Sequence, residues 1–234
     1  PPMLHCSMRV TVKEHPVHSP RHPCAGPGKG AHSMPLPPAD AQRQLKHQRS
    51  IQVQAYARSD GLWEIDAQVV DVKSRPTGRP GGIRPAGEPI HDLHLRLIVD
   101  TEFNVLQAGA ESRATPFPGQ CDQHGDTYQS FVGLNLLSGF KRAVRERAGG
   151  LRGCTHLTEL ADVLPTAVVQ AFAGEVLVTH GDGEEKPFQL DRCHALVSHG
   201  EAVRLHFPRW FRQPGINKVT QNPPPEPPEG APRG

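Results

Sequence analysis

Cys154 and His156 stand two residues apart in Gly153-Cys154-Thr155-His156-Leu157-Thr158-Glu159-Leu160, and Leu157, Leu160, Ala161 and Leu164 follow at helical spacing. Thr155 suits an N-cap, which starts the helix at His156 and leaves the thiol just outside the positive end of the helix dipole. That position favours the thiolate. A thiolate and an imidazole at this spacing can share one cation, or one can act as nucleophile while the other acts as base. Glu159 falls in the same first turn, where a carboxylate also steadies the helix end. The competing reading is a buried thiol, a capping threonine and a surface histidine, with no chemistry at all.

Other residues give the pair possible company. His91-Asp92 stands immediately before the alternating run Leu93, Leu95, Leu97 and Val99, and Cys121 lies in a loop after the next run. Loops on a rigid scaffold are common sites for reactive groups. The expected metal donors are therefore His91, Cys121, Cys154 and His156, and the expected catalytic groups are Asp92 and His156. Cys193-His194, preceded by Asp191-Arg192, is a second adjacent pair whose plain reading is a small buried thiol beside a half-exposed histidine. His94 should lie on the strand face opposite the leucines. The basic run Lys141 to Arg147 reads as the solvated side of a helix. Gly78 to Gly82 lacks the Lys-Ser/Thr ending of a phosphate loop and does not join a strand to a helix, so no nucleotide cradle is expected.

The elements that must position these residues follow from periodicity. Ile51, Val53, Ala55 and Ala57 alternate, Ser59-Asp60-Gly61 turns the chain, and Trp63, Ile65, Ala67 and Val69 alternate again, giving a β-hairpin over 51–72. The glycine- and proline-rich stretch Arg75 to Glu88 reads as a loop. A second hairpin spans 92–110 and turns at Asp100-Thr101-Glu102. Past Pro116-Phe117-Pro118-Gly119 the period becomes helical: Tyr128 and Phe131-Val132 mark a short helix, and Phe140, Ala143, Val144 and Ala148 mark another that stops at Gly149-Gly150. Pro165 interrupts the helix after Cys154 or restarts it as a second one through Phe172. Glu175 to His180 and Ala195 to Phe207 give no clear period. The expected fold is α+β: an antiparallel sheet of about four strands covered on one side by three or four helices.

Composition sets the limits of that domain. Nine of the 25 prolines fall in residues 1–38 and seven in 214–234, so the expected organisation is a disordered tail over 1–46, one domain over 47–212 and a disordered Pro-rich tail over 213–234. Residues 1–50 hold seven Lys/Arg and two Asp/Glu, which leaves 26 − 7 = 19 basic and 24 − 2 = 22 acidic residues for the rest. A folded domain with that balance is not built to neutralise phosphates, so a nucleic-acid partner is not expected. No run approaches the roughly 18 apolar residues of a membrane span, and the first 20 residues lack the apolar stretch of a secretion signal. Five cysteines without a secretory context imply reduced thiols. A soluble, cytoplasmic protein without a membrane partner is the expectation.

Four ordered segments carry a family resemblance: Asp60-Gly61-Leu62-Trp63-Glu64-Ile65, Gly87-Glu88-Pro89-Ile90-His91-Asp92, Arg152-Gly153-Cys154-Thr155-His156-Leu157 and Leu190-Asp191-Arg192-Cys193-His194-Ala195. Together they resemble a bacterial family known as domain of unknown function 2889, over most of residues 48–212. That family implies no activity. The order of an acidic residue before a strand, a hairpin, a loop cysteine and a cysteine opening a helix is also similar, more distantly, to the U-type iron–sulfur cluster assembly scaffolds. In that comparison Asp92, Cys121 and Cys154 take the places of an aspartate and two cysteines, whereas Ile90 stands where the first cysteine should lie.

A mixed His/Cys/Asp set suits zinc or iron better than a labile cluster. The leading expectation is thus a metal-dependent enzyme, of lyase or hydrolase type, acting on a small aromatic or acyl compound whose carbonyl or hydroxyl the metal polarises. Isomerisation is compatible with the same site. A non-enzymatic metal or iron–sulfur carrier is the alternative, and a metal-free module binding a small acid or an acyl-coenzyme A ester through the basic helix is a third.

Overall fold

A computed structural model describes residues 36–39 and 41–213. The two tails lie almost entirely outside the described residues; within them, 36–39 and 41–46 carry no regular secondary structure. The described residues from Gln44 to Gln213 form one compact unit. Among the described residues, no helix is long and apolar enough to cross a membrane.

Strands β1 (His47–Ala57), β2 (Trp63–Lys73), β5 (Pro89–Val99) and β6 (Val105–Ala114) form an antiparallel sheet in the order β1-β2-β5-β6. The stretch expected as a loop contains a small hairpin of its own, β3 (Thr77–Arg79) and β4 (Gly82–Arg84), which turns through Gly81 and Gly82 in left-handed backbone that glycine tolerates. Both long hairpins extend beyond their expected limits, because backbone pairing continues where the apolar alternation ends. This extension carries polar residues onto the sheet face that also bears the core.

Helix α1 spans Phe140–Ala148, α2 spans Thr155–Phe172 and α3 spans Glu201–His206, with a 3-10 turn over Gly125–Phe131. Trp63, Ile65, Ala67 and Val69 of β2 and Leu93, Leu95, Leu97 and Val99 of β5 pack against α2 through Leu157, Leu160, Leu164 and Val168. Each such fully buried leucine contributes about 1.5–3 kcal/mol. Phe172 closes the far end of the core, its ring 4.5 Å from Trp63 and 4.8 Å from Phe103.

Around α2 the structure differs from expectation at two points. Pro165 neither ends nor restarts the helix: α2 runs unbroken through it. Proline removes one backbone hydrogen bond, but Leu160, Ala161, Leu164, Val168 and Phe172 are all fully buried on either side, and this packing outweighs the local loss. The N-cap is Cys154 and not Thr155, since Cys154 has extended backbone (φ −82°, ψ 127°) and Thr155 is already helical.

Candidate metal centre

The site begins as one row across the sheet. In the strand register Arg49 of β1 faces Asp71 of β2, and Asp71 faces His91 of β5. Asp71 continues the alternation of Trp63, Ile65, Ala67 and Val69, so its carboxylate enters the face that carries the core and is only 2% exposed. Register shifts occur at Asp71/Val72 and at Asp92/Leu93, irregularities of the kind that re-aim side chains beside functional sites.

A buried carboxylate persists only if it is paired. Arg49 grips it with two bonds, Nε to Oδ1 at 2.9 Å and Nη2 to Oδ2 at 2.8 Å. His47 Nε2 lies 3.0 Å from Oδ1, and His91 Nδ1 lies 3.0 Å from Oδ2. Burial alone would raise the Asp71 carboxyl, but Arg49, followed by His91, outweighs it and holds the group down to about 2. Arg49 also donates from Nη1 to Glu159 Oε2 at 2.6 Å, tying β1 to α2; because the helix starts at Thr155, Glu159 falls just past the first turn expected to hold it.

The start of α2 brings the second half of the site. His156 stacks on His91 with ring centroids 3.9 Å apart and planes tilted by 35°. Burial, then the nearby His91 and Arg49, pushes the His156 pKa below the ordinary histidine value and favours the neutral ring that a metal requires. Cys154 Sγ lies 3.7 Å from His156 Nδ1. This helix start is fixed from below: Cys154 N–H donates to the Tyr128 hydroxyl at 2.8 Å, and Tyr128 is buried deeply enough for its phenol to be pushed up to about 12. Gly153 is required there because an added Cβ would lie 2.6 Å from the Ala148 carbonyl oxygen.

Asp71, His91 and His156 each offer a donor atom, and these atoms lie within 4.8 Å of one another. Donors bonded to one zinc or ferrous ion at about 2.0–2.2 Å sit roughly 3–4 Å apart, so the two histidines can close on a single cation while Asp71, bonded to His91 Nδ1, stands behind one of them. Two imidazoles and a carboxylate match zinc and non-haem iron centres. The Asp71 contact occupies Nδ1 of His91 and leaves Nε2 as its coordinating atom.

Of the residues expected from sequence, His91, Cys121, Cys154 and His156 line one open cavity of about 500 Å³. Cys121 is on its wall but outside the cluster of donor atoms. Asp92 is not brought to the cavity: its carboxylate lies on the opposite sheet face, 2.9 Å from His94 Nε2 and accepting from Gln68 Nε2 at 2.7 Å. The reason is strand parity, since β5 begins at Pro89 and adjacent residues point to opposite faces. His94 has the outward placement expected of it, and Cys193, exposed, does not line the cavity. Asp71, Arg49 and His47 were missed. The signal for Asp71 was a charged residue on the buried parity of an alternating strand.

A family model described as "Protein of unknown function (DUF2889)" matches residues 47–170, the stretch from the first residue of β1 nearly to the end of α2. No curated protein and no solved structure matches the chain.

Proposed function

The chain belongs to this family of unknown function, DUF2889, and from its site we propose that it is a metal-dependent enzyme of lyase or hydrolase type acting on a small aromatic or acyl compound. The observation that carries the proposal is the stacked His91–His156 pair, one ring anchored by a buried carboxylate, at the wall of an open cavity. His91 and His156 hold zinc or ferrous iron. Asp71, whose two oxygens already take four contacts, orients His91 and strengthens it as a donor, as carboxylates behind ligating histidines do. Cys154, its Sγ 3.7 Å from His156 Nδ1, offers a further donor. When bound, the cation supplies Lewis acidity toward an oxygen of the substrate.

The chain's own residues supply the remainder. Leu93, Pro116, Phe117 and Leu151 give the cavity apolar walls, suited to an aromatic ring or an acyl chain. Arg49 keeps Asp71 ionised, and thereby keeps His91 fixed with one nitrogen free. Metal analysis of protein purified anaerobically, under reducing conditions and without chelator, tests the proposal. About one zinc or iron per chain is expected, lost in His91→Ala and in His156→Ala with the fold intact; folded wild-type protein containing no metal would contradict it.

A further inference from the structure

Strand β1 forms an edge of the sheet. The Lys46 carbonyl accepts from Ser74 N–H, and Arg58 N–H donates to the Leu62 carbonyl, so the even-numbered residues between them bond to β2. The odd-numbered residues from His47 to Ala57 therefore turn their N–H and C=O groups outward, and no backbone bond among the described residues takes them up. Edge strands are ordinarily guarded by charge, proline, a bulge or shortness. β1 has none of these guards. It runs for 11 residues without proline and in unbroken register with β2, and its one Lys, Arg, Asp or Glu side chain, Arg49, is turned back onto Asp71 and Glu159. The opposite edge, β6, is guarded: Glu111 and Arg113 are exposed on it, its register with β5 shifts twice, and its start pairs with Gly133 and Leu134.

We infer that β1 pairs antiparallel with β1 of a second copy of this chain, across a two-fold axis at Gln52, and joins two four-stranded sheets into one. Gln52 is the midpoint of the strand, so this register uses its whole length. On the face that bears the core, Ile51 meets Val53 of the second copy. Ile51 is 39% exposed and Val53 is only half-buried, so both gain cover from the contact. On the other face Ser50 meets Gln54 and Gln52 meets its own copy, all neutral polar groups. Arg49 meets Ala55, a side chain small enough to leave the Arg49 grip on Asp71 in place, and no charge faces a like charge. A two-fold contact of this kind closes as a dimer and does not propagate. The edge is about 36 Å long and buries on the order of 400 Å² per copy, half the area of a standard interface, so the dimer dissociates at micromolar concentrations.

Sedimentation velocity of the full-length protein over about 1–200 µM should show a reversible monomer–dimer equilibrium. Ser50, Gln52 and Gln54 are exposed, so charge can be placed on them without entering the core. Combining Ser50→Glu, Gln52→Glu and Gln54→Glu sets like charges opposite one another across the axis and should weaken association by about tenfold or more. The corresponding triple lysine variant should be weakened as much, and an equimolar mixture of the two should associate at least as well as wild type. In unaltered protein, amide hydrogen exchange read by NMR should slow at Ile51, Val53 and Ala55 only as concentration rises, while Gln52 and Gln54 stay protected throughout. A monomer at every concentration, a dimer that the glutamate variant leaves intact, or a mixture no better than either variant alone would overturn the inference. So would Ile51 and Val53 amides protected equally at all concentrations, as they would be beneath another segment of the same chain. The exchange pattern is read without substitution and decides the question even if the variants misfold.

Discussion

His91 Nδ1 lies 3.0 Å from Asp71 Oδ2, an imidazole bonded to a carboxylate that is itself clasped by Arg49 and His47. This pairing fixes which nitrogen of His91 is free and gives Asp71 a role distinct from that of the two histidines. Asp71→Asn should weaken zinc affinity by about 10–100-fold, the usual effect of removing the partner behind a ligating histidine. His91→Ala and His156→Ala should abolish stoichiometric binding. Asp92→Asn, altered on the other sheet face, should leave it unchanged. Competition titration with a chromogenic zinc chelator separates the three outcomes.

The same carboxylate makes stability depend on pH. Its folded value of about 2 lies below the ordinary 3.8, so its stabilising contribution is complete above pH 4 and is lost as the pH falls through 2. The difference is worth roughly 2 kcal/mol. In metal-free protein, the gap in unfolding free energy between wild type and Asp71→Asn should therefore narrow by roughly 2 kcal/mol between pH 5 and pH 2. Urea denaturation at a series of pH values measures it.

Strand parity explains which half of the site could be read from sequence. The hairpins, the antiparallel sheet and the helix opening at Cys154 all follow from alternation and helical spacing. Cys154 and His156 stand out because their types are reactive and their position is a helix start. Asp92 falls beside the site only if the strand starts at Leu93; the strand starts at Pro89, which puts His91 with the leucines and Asp92 with His94. Asp71 was legible by the same rule, as the charged fifth member of an apolar row. Its partners were not. Arg49 and His47 precede the apolar alternation of β1, and only pairing with β2 draws them into the strand. Pro165 misled in the opposite direction, because its local cost is visible in the sequence whereas the packing that overrides it is not.

The helix start offers a test of how Cys154 is held. Its N-cap geometry is right, yet no side chain caps the helix there. Cys154→Ser should supply a hydroxyl to the free amides of the first turn and stabilise metal-free protein by about 0.5–1 kcal/mol. Cys154→Ala should not. Thermal unfolding in the presence of a chelator distinguishes the two.

Gly153→Ala should have the reverse effect. The new Cβ would press against the Ala148 carbonyl, 2.6 Å away, and lie 3.1 Å from the Tyr128 hydroxyl, so the chain must shift where it enters α2. A loss of about 1–3 kcal/mol is expected from overpacking of this kind. Denaturant unfolding gives the loss. A smaller cost in Tyr128→Phe, on the order of 1 kcal/mol for one hydrogen bond, would separate crowding from the loss of the hydroxyl.

X-ray absorption at the zinc edge of zinc-loaded protein tests most directly whether His91 and His156 form the metal centre. The account predicts scattering from two imidazoles, with oxygen and at most one sulfur completing the shell, and loss of one imidazole contribution in either single histidine variant that still retains zinc in excess metal. A shell dominated by sulfur, or one that keeps both imidazoles after His91→Ala or His156→Ala, would contradict it.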